Sequence, residues 1–312
     1  MTLPALAADW PRRDAESLLW LASYPRSGNT FTRILLANYF LAGEEVYDIN
    51  ALSAFLPSDT HPALWKSFSP SASGPASPRE TWQARPRAFQ HYRQTRDPKV
   101  FPGLKTHSGT MEIFGVRGFD FRPNDRILYV VRHPLDVLLS FADFNGKDLD
   151  YSITEMCASG AYSLEGWFGA LEARGSWKEH VTSWITAPPC PLLLVQYEAL
   201  RTDPEKTLRS MLAFLGAPII AERVTQAVEA SRFEKLRQQE VSRSFIEASQ
   251  TSISGTFFRK GQSLQWLNAL RPEQAYRLAD GCGEIMQRLG YAHPSDVYFD
   301  GRNAFLPLNL NH

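Results

Sequence analysis

The sequence predicts a single α/β domain, with a central parallel sheet flanked by helices and a P-loop-like turn after the first strand. Three apolar runs carry this prediction, at residues 18–22, 127–131 and 191–198, and each leads into a polar turn and a helical pattern. Short continuous apolar runs are typical of strands that are buried on both faces of a parallel sheet. We therefore treat residues 1–312 as one domain, and a content of 44% hydrophobic residues is ample for its core.

Composition excludes several classes of protein. The 33 basic residues balance 33 acidic ones, so no global field favours binding to nucleic acid or to an anionic membrane surface. The N-terminus lacks a basic leader, and no segment approaches about 18 consecutive apolar residues. Cys157, Cys190 and Cys282 are far apart and show no metal-binding spacing. We expect a cytoplasmic protein without a membrane span, nucleic-acid partner or metal; its oligomeric state is left open.

The turn after the first apolar run predicts an anion-binding site. It contains Arg26, Ser27, Gly28, Asn29 and Thr30. Backbone N–H groups at the start of a helix would meet a cation and two hydroxyl groups here, and that combination suits a phosphate or a similar anion. An ordinary turn with polar surface residues is the alternative at this point, because short motifs also occur by chance.

Residues 44–99 read as an irregular insertion that is rich in proline and serine. Seven prolines fall between residues 57 and 98, and the periodicity seen before the insertion is lost. Long irregular stretches in compact domains are usually functional lids or disordered segments. The segment also holds more aromatic residues than a solvated linker needs, which favours a lid over an acceptor pocket.

Residues 100–107 predict a short strand that ends in Lys105, Thr106 and His107. Ligands of open α/β sheets bind at the carboxyl ends of the strands, so these side chains are placed where chemistry takes place. His107 considered alone would more often be a structural histidine in a turn, and only its neighbours favour a functional interpretation.

Residues 126–141 form a second strand, turn and helix unit, with Pro134 at a position that the first helical turn tolerates. The chain lacks the G-x-x-x-x-G-K-[ST] spacing of nucleoside-triphosphate enzymes, and this strand is followed by Arg132 rather than by an acid. A cation at that point repels a metal ion and attracts a phosphate. A metal-dependent P-loop kinase is therefore the less favoured enzyme alternative.

The later chain is predicted to be largely helical. Helical patterns cover residues 163–185, 208–215, 221–230 and 271–289. Asp203 before Pro204 is an N-cap signal, while residues 233–237 suggest a short turn and residues 238–255 a polar, mobile segment. The adjacent cations that follow, Arg259 and Lys260, stand beside Gly261 and suggest another phosphate contact.

Three motifs in this order resemble the sulfotransferases that use 3′-phosphoadenosine 5′-phosphosulfate (PAPS), of the cytosolic type and with a bacterial-like pattern. They are Tyr-Pro-Arg-Ser-Gly-Asn-Thr-Phe at 24–31, Tyr-Val-Val-Arg-His-Pro-Leu-Asp-Val-Leu-Leu-Ser at 129–140 and Phe-Arg-Lys-Gly at 258–261. The resemblance extends over residues 18–290. Each motif is modest alone, whereas the ordered set is specific.

The resemblance implies a binding site for PAPS as co-substrate, with 3′,5′-bisphosphoadenosine (PAP) as product. The implied contacts of its 5′ end are Arg26, Ser27, Gly28, Asn29 and Thr30, and those of its 3′-phosphate are Arg132, Ser140, Arg259, Lys260 and Gly261. The implied contacts of the adenine are Phe31, Tyr197, Ser231 and Phe233. His107 is implied to be the general base, with Lys105 and Arg26 as catalytic cations. The family pattern usually has lysine where this chain has Arg26, and arginine stabilises charge but cannot donate a proton.

The implied reaction is in-line sulfuryl transfer to a hydroxyl or an amine of a small or medium organic acceptor. The sulfuryl group carries little formal charge, so cationic side chains can stabilise its transfer without a metal. His107, with an ordinary pKa near about 6.5, would take the proton of the acceptor. A non-catalytic protein that senses PAP or scaffolds a partner is the remaining alternative.

Overall fold

The computed structural model describes residues 16–41, 46–65, 77–97, 100–165, 170–300 and 303–305. Its strands are β1 (Leu19–Ser23), β2 (Gly103–Thr106), β3 (Glu112–Ile113), β4 (Val116–Arg117), β5 (Arg126–Val131), β6 (Tyr162–Glu165), β7 (Ala170–Ala173), β8 (Leu192–Gln196), β9 (Tyr298–Asp300) and β10 (Asn303–Phe305). Its α-helices are α1 (Asn29–Phe40), α2 (Leu52–Phe55), α3 (Pro62–Trp65), α4 (Pro78–Thr95), α5 (Pro134–Asn145), α6 (Leu149–Cys157), α7 (Trp177–Ile185), α8 (Tyr197–Thr202), α9 (Pro204–Leu215), α10 (Ala221–Ala230), α11 (Phe233–Arg243), α12 (Trp266–Ala269) and α13 (Pro272–Arg288).

A parallel sheet in the order β2-β1-β5-β8 forms the centre of the domain. The register pairs Ala22 of β1 with Thr106 of β2 on one side and with Tyr129 of β5 on the other. All four strands therefore end at the same edge of the sheet. The predicted α/β fold with a central parallel sheet is confirmed. Strands β2 and β8 fall within the predicted runs, and β1 and β5 each extend one residue beyond them.

The apolar residues of the sheet alternate between two cores. Trp20 and Tyr129 pack with α4, α7 and α13 on one face of the sheet. Leu21 and Leu128 pack with α1, α9 and α10 on the other face. Successive strand residues point to opposite faces, so a sheet covered on both sides requires apolar residues at every position. This explains why the strands are continuous apolar runs in the sequence.

The expectation of irregular structure in residues 44–99 is wrong for α4, which is an 18-residue helix. Ser77 and Glu80 form a reciprocal capping box at its start, and Pro78 occupies the first turn, where a missing N–H costs nothing. These local start signals outweigh the proline at position 86 inside the helix. Residues 44–45, 66–76 and 98–99 of the predicted insertion lie outside the described residues.

The aromatic side chains of α4 also have a different location from the one expected of a lid. Trp82 and Phe89 are fully buried, and Phe89 packs edge-on against Trp20 of the central strand. Both side chains contribute to the core of the domain. They are therefore not available to form the wall of an acceptor pocket.

The helix predicted over residues 163–185 is wrong in its first half. β6 and β7 form an antiparallel hairpin, and only α7 is helical; residues 166–169 lie outside the described part. Gly175 has φ of +64°, which interrupts any continuous helix, and Ser176 then caps α7 through a capping box with Glu179. Conversely, the short turn predicted at residues 233–237 is the start of helix α11. This helix continues to Arg243 and so includes the first part of residues 238–255, which were expected to be mobile.

The remaining helix predictions agree with the structure. Asp203 caps α9 by accepting a hydrogen bond from the Lys206 N–H, with Pro204 at the first helical position. Helices α10 and α13 cover the predicted ranges to within one residue. Among the described helices, none combines the length and apolar character that crossing a membrane requires.

A buried carboxylate joins α4 to the central sheet. Asp125 is fully buried, and its oxygens accept hydrogen bonds from both terminal nitrogens of Arg93 at 2.8 and 2.6 Å. The same carboxylate accepts from the Leu18 N–H at 2.9 Å and from the Trp20 indole at 3.0 Å. The first strand and α4 are thus held by one charged group.

We expect Asp125→Asn to lower the free energy of unfolding by about 3–5 kcal/mol, because the buried Arg93 loses its fully buried counter-charge and keeps only the partly exposed Asp120 at 3.5 Å. Urea unfolding followed by far-UV circular dichroism measures this loss. Asp150→Asn is the matched control, because Asp150 pairs with Arg271 and Arg277 at an exposed site. An exposed ion pair contributes only about 0–1 kcal/mol to stability. Equal losses in the two variants would contradict the assignment.

Candidate functional site

The predicted site residues gather at the carboxyl edge of the sheet. The turn at residues 24–28 follows β1, His107 follows β2, Arg132 follows β5 and Tyr197 follows β8. Because β1 lies between β2 and β5, the turn is flanked by His107 on one side and by Arg132 on the other. This is the edge at which open α/β sheets bind their ligands.

The turn at residues 24–28 has the backbone geometry of an anion cradle. Arg26 and Gly28 both adopt positive φ, at 66° and 106°, and Gly28 is the N-cap of α1. The first N–H groups of a helix have no acceptor within the helix, and the helix dipole adds positive potential at that end. A Cβ on Gly28 would lie 2.5 Å from the Tyr197 ring, so only glycine fits beneath that ring.

Several buried polar atoms of this region have no hydrogen-bond partner among the described residues. They include the Ser27 hydroxyl, the Asn29 side-chain oxygen and the Arg132 Nε. Buried polar groups in folded proteins nearly always have partners, so these atoms indicate a ligand. Two of the three, in Ser27 and Arg132, are donors, which fits a ligand with anionic oxygens.

Arg26 is held in one orientation by its neighbours. Its Nε donates to the Ser140 hydroxyl at 3.0 Å, and the guanidinium stacks 4.5 Å from the Phe144 ring centre and 4.3 Å from that of Phe257. Burial, and next the positive charge of Arg132, lower the pKa of Arg26 to about 10. Arg26 therefore stays cationic at neutral pH.

Arg132 joins three segments of the site. Its guanidinium donates to the Gln262 carbonyl at 3.0 Å and to the Arg26 carbonyl at 3.4 Å. It also lies 4.3 Å from the centre of the Tyr197 ring. The β1 turn, the end of β8 and the loop after residue 256 consequently meet around one cation.

His107 is fixed in a defined tautomer. Its Nδ1 lies 2.8 Å from the Ser23 carbonyl oxygen, which can only accept a hydrogen bond. We infer that Nδ1 carries the proton of the neutral ring, and Nε2 then has a free lone pair. Burial and next the charge of Lys105 hold the pKa of His107 well below 6.5. His107 is therefore a neutral base at physiological pH.

The backbone of His107 is held from behind by a second histidine. The His180 Nε2 lies 3.1 Å from the His107 carbonyl, and its Nδ1 lies 2.8 Å from the Tyr129 hydroxyl. Since a carbonyl only accepts, His180 donates from Nε2 and accepts the hydroxyl proton of Tyr129 at Nδ1. Burial lowers the pKa of His180 to about 3, which keeps this arrangement neutral.

Lys105 and its strand are anchored by the segment around Ser58. The Lys105 N–H donates to the Pro57 carbonyl at 2.8 Å, and the Asp59 N–H donates to the Lys105 carbonyl at 2.9 Å. The Asp59 carboxylate accepts from the Thr106 hydroxyl at 2.6 Å and forms a fully buried ion pair with Arg85 of α4. Part of the predicted insertion thus supports the strand that carries Lys105.

Carboxylates position the late loop that carries the predicted 3′-phosphate contacts. Asp136, in the first turn of α5, accepts from the Leu264 N–H at 2.7 Å and from the Trp266 N–H at 3.1 Å. Glu240 of α11 accepts from the N–H groups of Phe257 and Phe258. Residues 257–266 are therefore held at both ends.

An open pocket of about 770 Å³ lies between α11 and this loop. It is lined by Phe233, Glu234, Arg237, Gln238, Val241, Arg259, Lys260 and Gln262. Gly261 has φ of +60°, and a Cβ there would lie 2.6 Å from the Phe233 ring. Three of the predicted binding residues, Phe233, Arg259 and Lys260, face this one pocket, while Gly261 allows the loop to approach Phe233.

The residues predicted to contact adenine separate into two groups. Phe31 and Phe233 both lie near the Arg201 guanidinium, whose central carbon is 5.4 and 5.7 Å from their ring centres. Ser231 is buried, donating to the Ala227 carbonyl at 2.7 Å and accepting from Asn38 at 3.1 Å. The structure thus gives the Ser231 hydroxyl a packing function between α10 and α1.

Sequence reasoning missed Arg33, Asp136, His180, Arg201 and Glu247. Asp136 follows Pro134 in a helical first turn, and Arg33 interrupts an otherwise apolar stretch of α1, so both had local signals. His180 and Glu247 act through partners that are distant in sequence. Only the fold reveals their contacts.

Comparison with known proteins identifies similar chains. Residues 16–290 match a family model described as Sulfotransferase domain. Sulfotransferase 2A6 of Rattus norvegicus is 26% identical over 179 residues, which cover 57% of this chain and 61% of the rat protein. The matched part thus spans less than two thirds of that relative. Sulfotransferase 1C2 of Oryctolagus cuniculus is 26% identical over 83% of this chain and 80% of its own. Flavonol 3-sulfotransferase of Flaveria bidentis is 21% identical over 83% of this chain and 78% of the plant protein.

Solved structures share the fold. The mouse sulfotransferase SULT7A1 complexed with PAP superposes with a TM-score of 0.54 at 20% identity, covering 87% of this chain and 84% of the mouse chain. Retinol dehydratase in complex with androsterone and the inactive cofactor PAP gives a TM-score of 0.57 at 17% identity, covering 92% and 85%. At these identities the likeness supports the architecture.

We expect Lys105→Gln to raise the pKa of His107, because the variant removes a positive charge that disfavours the imidazolium. An NMR titration of the His107 ring resonances measures the shift. Lys260→Gln removes the same charge from the late loop and should leave the His107 pKa unchanged. An unchanged pKa in the first variant, or equal rises in both, would contradict the assigned influence of Lys105.

Proposed function

The chain belongs to the sulfotransferase domain family, and from this membership we propose that it transfers the sulfuryl group of PAPS to a hydroxyl group of a small or medium organic acceptor. The nitrogen of an amine is the second proposed acceptor atom. The observation that carries the proposal is the geometry of His107. A neutral histidine with a free Nε2 stands at the same sheet edge as Lys105 and an anion cradle.

The proposed co-substrate site runs from the β1 turn to the late loop. We assign the 5′ end of PAPS to Arg26, Ser27, Gly28, Asn29 and Thr30. We assign the 3′-phosphate to Arg132, Ser140, Arg259, Lys260 and Gly261, and the adenine region to Phe31, Tyr197, Ser231 and Phe233. The unpartnered donors of Ser27 and Arg132 support this assignment, since each has hydrogen-bonding capacity to spare.

PAPS supplies an activated sulfuryl group when it is bound. His107 would take the proton of the acceptor at Nε2, while its Nδ1–H stays on the Ser23 carbonyl and keeps the ring aligned. Lys105 and Arg26 would place positive charge where negative charge develops, and Arg26 is already oriented by Ser140 and two aromatic rings. Arg26 orients and stabilises but does not donate a proton, because it stays charged.

The acceptor site is proposed to lie beside His107, near the segment around Ser58. That segment forms a parallel bridge with Lys105, so it is adjacent to the base. The Flaveria relative is named for a flavonol, a hydroxylated aromatic compound. Phenols and alcohols are accordingly the first acceptors to test.

The binding step and the transfer step are tested separately. Calorimetric titration with PAP tests the co-substrate site, and incubation with PAPS and a panel of phenols, alcohols and amines tests transfer. Failure to bind PAP or to form it from PAPS would refute the proposal. Tight binding of PAP without turnover of any acceptor would instead favour a non-catalytic PAP sensor or scaffold.

We expect His107→Ala to lower kcat by about 10²–10⁴-fold, the usual contribution of a positioned general base, with little change in PAP affinity. Steady-state kinetics and calorimetry measure the two quantities. His91→Ala, at an exposed position of α4, is the matched histidine control. Full turnover by His107→Ala would refute the base assignment and leave the fold unaffected.

In the wild type, kcat/KM should fall only at pH values well below 6.5, because protonation of His107 removes the base and the pKa of His107 is lowered.

A further inference from the structure

Arg33 is a buried cation one helical turn beyond the anion cradle. It is 1% exposed, and its Nη2 donates to the hydroxyl of Thr30 at 3.2 Å. Thr30 belongs to the cradle that we assign to the 5′ end of PAPS. Arg33 therefore lies directly behind that site, although no motif of the resemblance includes it.

The partner of Arg33 is a carboxylate from a distant part of the chain. Glu247 lies in the loop after α11 and binds Arg33 through both of its oxygens, with Nη1 to Oε1 at 2.9 Å. Although burial acts to raise it, the pKa of Glu247 is lowered by Arg33 and then by Lys105, and the Thr30 hydroxyl contributes in the same direction. The Glu247 carboxylate thus pairs with Arg33, and the charge of Lys105 and the hydroxyl of Thr30 also stabilise it.

Two of those three neighbours, Lys105 and Thr30, are also assigned to the transferable end of PAPS. An incoming anion and the Glu247 carboxylate would compete for the same donors and repel each other at close range. A buried guanidinium needs an anionic partner, and either the carboxylate or the ligand can fill that need.

We propose that Arg33 is a further anion-binding residue of the 5′ site, and that Glu247 occupies it until the anionic end of the co-substrate replaces the carboxylate. This inference rests on the proposed function, because it deepens the same site. Arg33 then contributes to binding only after its internal partner has left.

The loop permits this exchange through side-chain rotation. The Ile246 N–H donates to the Asn50 side chain at 2.9 Å, so the backbone beside Glu247 is anchored. The Glu247 side chain is 28% exposed, and Ile246 next to it is 67% exposed. A rotation of Glu247 toward solvent therefore breaks few packing contacts and leaves the loop in place.

Calorimetric titration with PAP tests the exchange on the full chain. We expect Glu247→Gln to bind PAP at least about fivefold more tightly, a modest value for coupling between two groups that share one site. The double variant Arg33→Gln/Glu247→Gln should lose this gain, because it no longer has the Arg33 cation that would bind the anion. Glu205→Gln removes the same charge from an exposed pair with Arg209 and should leave the affinity unchanged.

Weaker or unchanged PAP binding by Glu247→Gln would overturn the inference and assign the pair a structural function. A gain that persists in the double variant would also overturn it, because simple charge repulsion would then suffice. If Glu247→Gln does not fold, Glu247→Asp replaces it, since a shorter side chain weakens the contact with Arg33 and should shift the affinity in the same direction.

A second titration, with inorganic phosphate, separates the two proposals. If the wild type does not bind PAP but Glu247→Gln binds phosphate more tightly than the wild type and than the double variant, the PAPS assignment fails and the Arg33 site stands. If the wild type binds PAP and Glu247→Gln shows no gain with either probe, the Arg33 inference fails and the proposed function stands.

Discussion

The site depends on the parallel register of β1 between β2 and β5. This register brings Ser23, His107 and Arg132 to one edge of the sheet, and the Ser23 carbonyl then fixes the His107 ring at 2.8 Å. A one-residue slip in a parallel pair would move each side chain to the opposite face, so Trp20 would leave the core in which it packs against Phe89. The fit of individual side chains in the two cores therefore also sets the alignment of the proposed base.

The edge gathers several cations at short range. Burial, and next the positive charge of Arg132, lower the pKa of Arg26, and two aromatic rings flank its guanidinium. Formal net charge is zero for the whole chain, so this cluster is local. Two carboxylates near the late loop, Asp136 and Glu240, mainly bind backbone N–H groups. We therefore expect the cations of this edge to bind an anionic ligand.

Much of the fold follows from the sequence because buried parallel strands and helix caps are local signals. The strands at residues 19–23 and 126–131 and the cap at Asp203 were predictable for this reason. The hairpin at residues 162–173 was not, because its aromatic spacing also fits a helix and only the tertiary pairing decides. Helix α4 was obscured by its prolines, although its capping box was visible.

The motifs of the proposed site could be found in the sequence, whereas the ion pair beside the β1 turn could not. Arg33 and Glu247 are separated by 214 positions, so no local pattern links them.

Lys105 illustrates why one charge in such a site has two opposing effects. Its positive charge lowers the pKa of His107, which weakens the histidine as a base but ensures that the ring is unprotonated at neutral pH. The same charge favours negative charge on the group being transferred. A stronger base without Lys105 would lose that stabilisation. We therefore expect a cation at this position to suit an acceptor that is acidic enough to need little help with its proton, such as a phenol rather than an aliphatic alcohol.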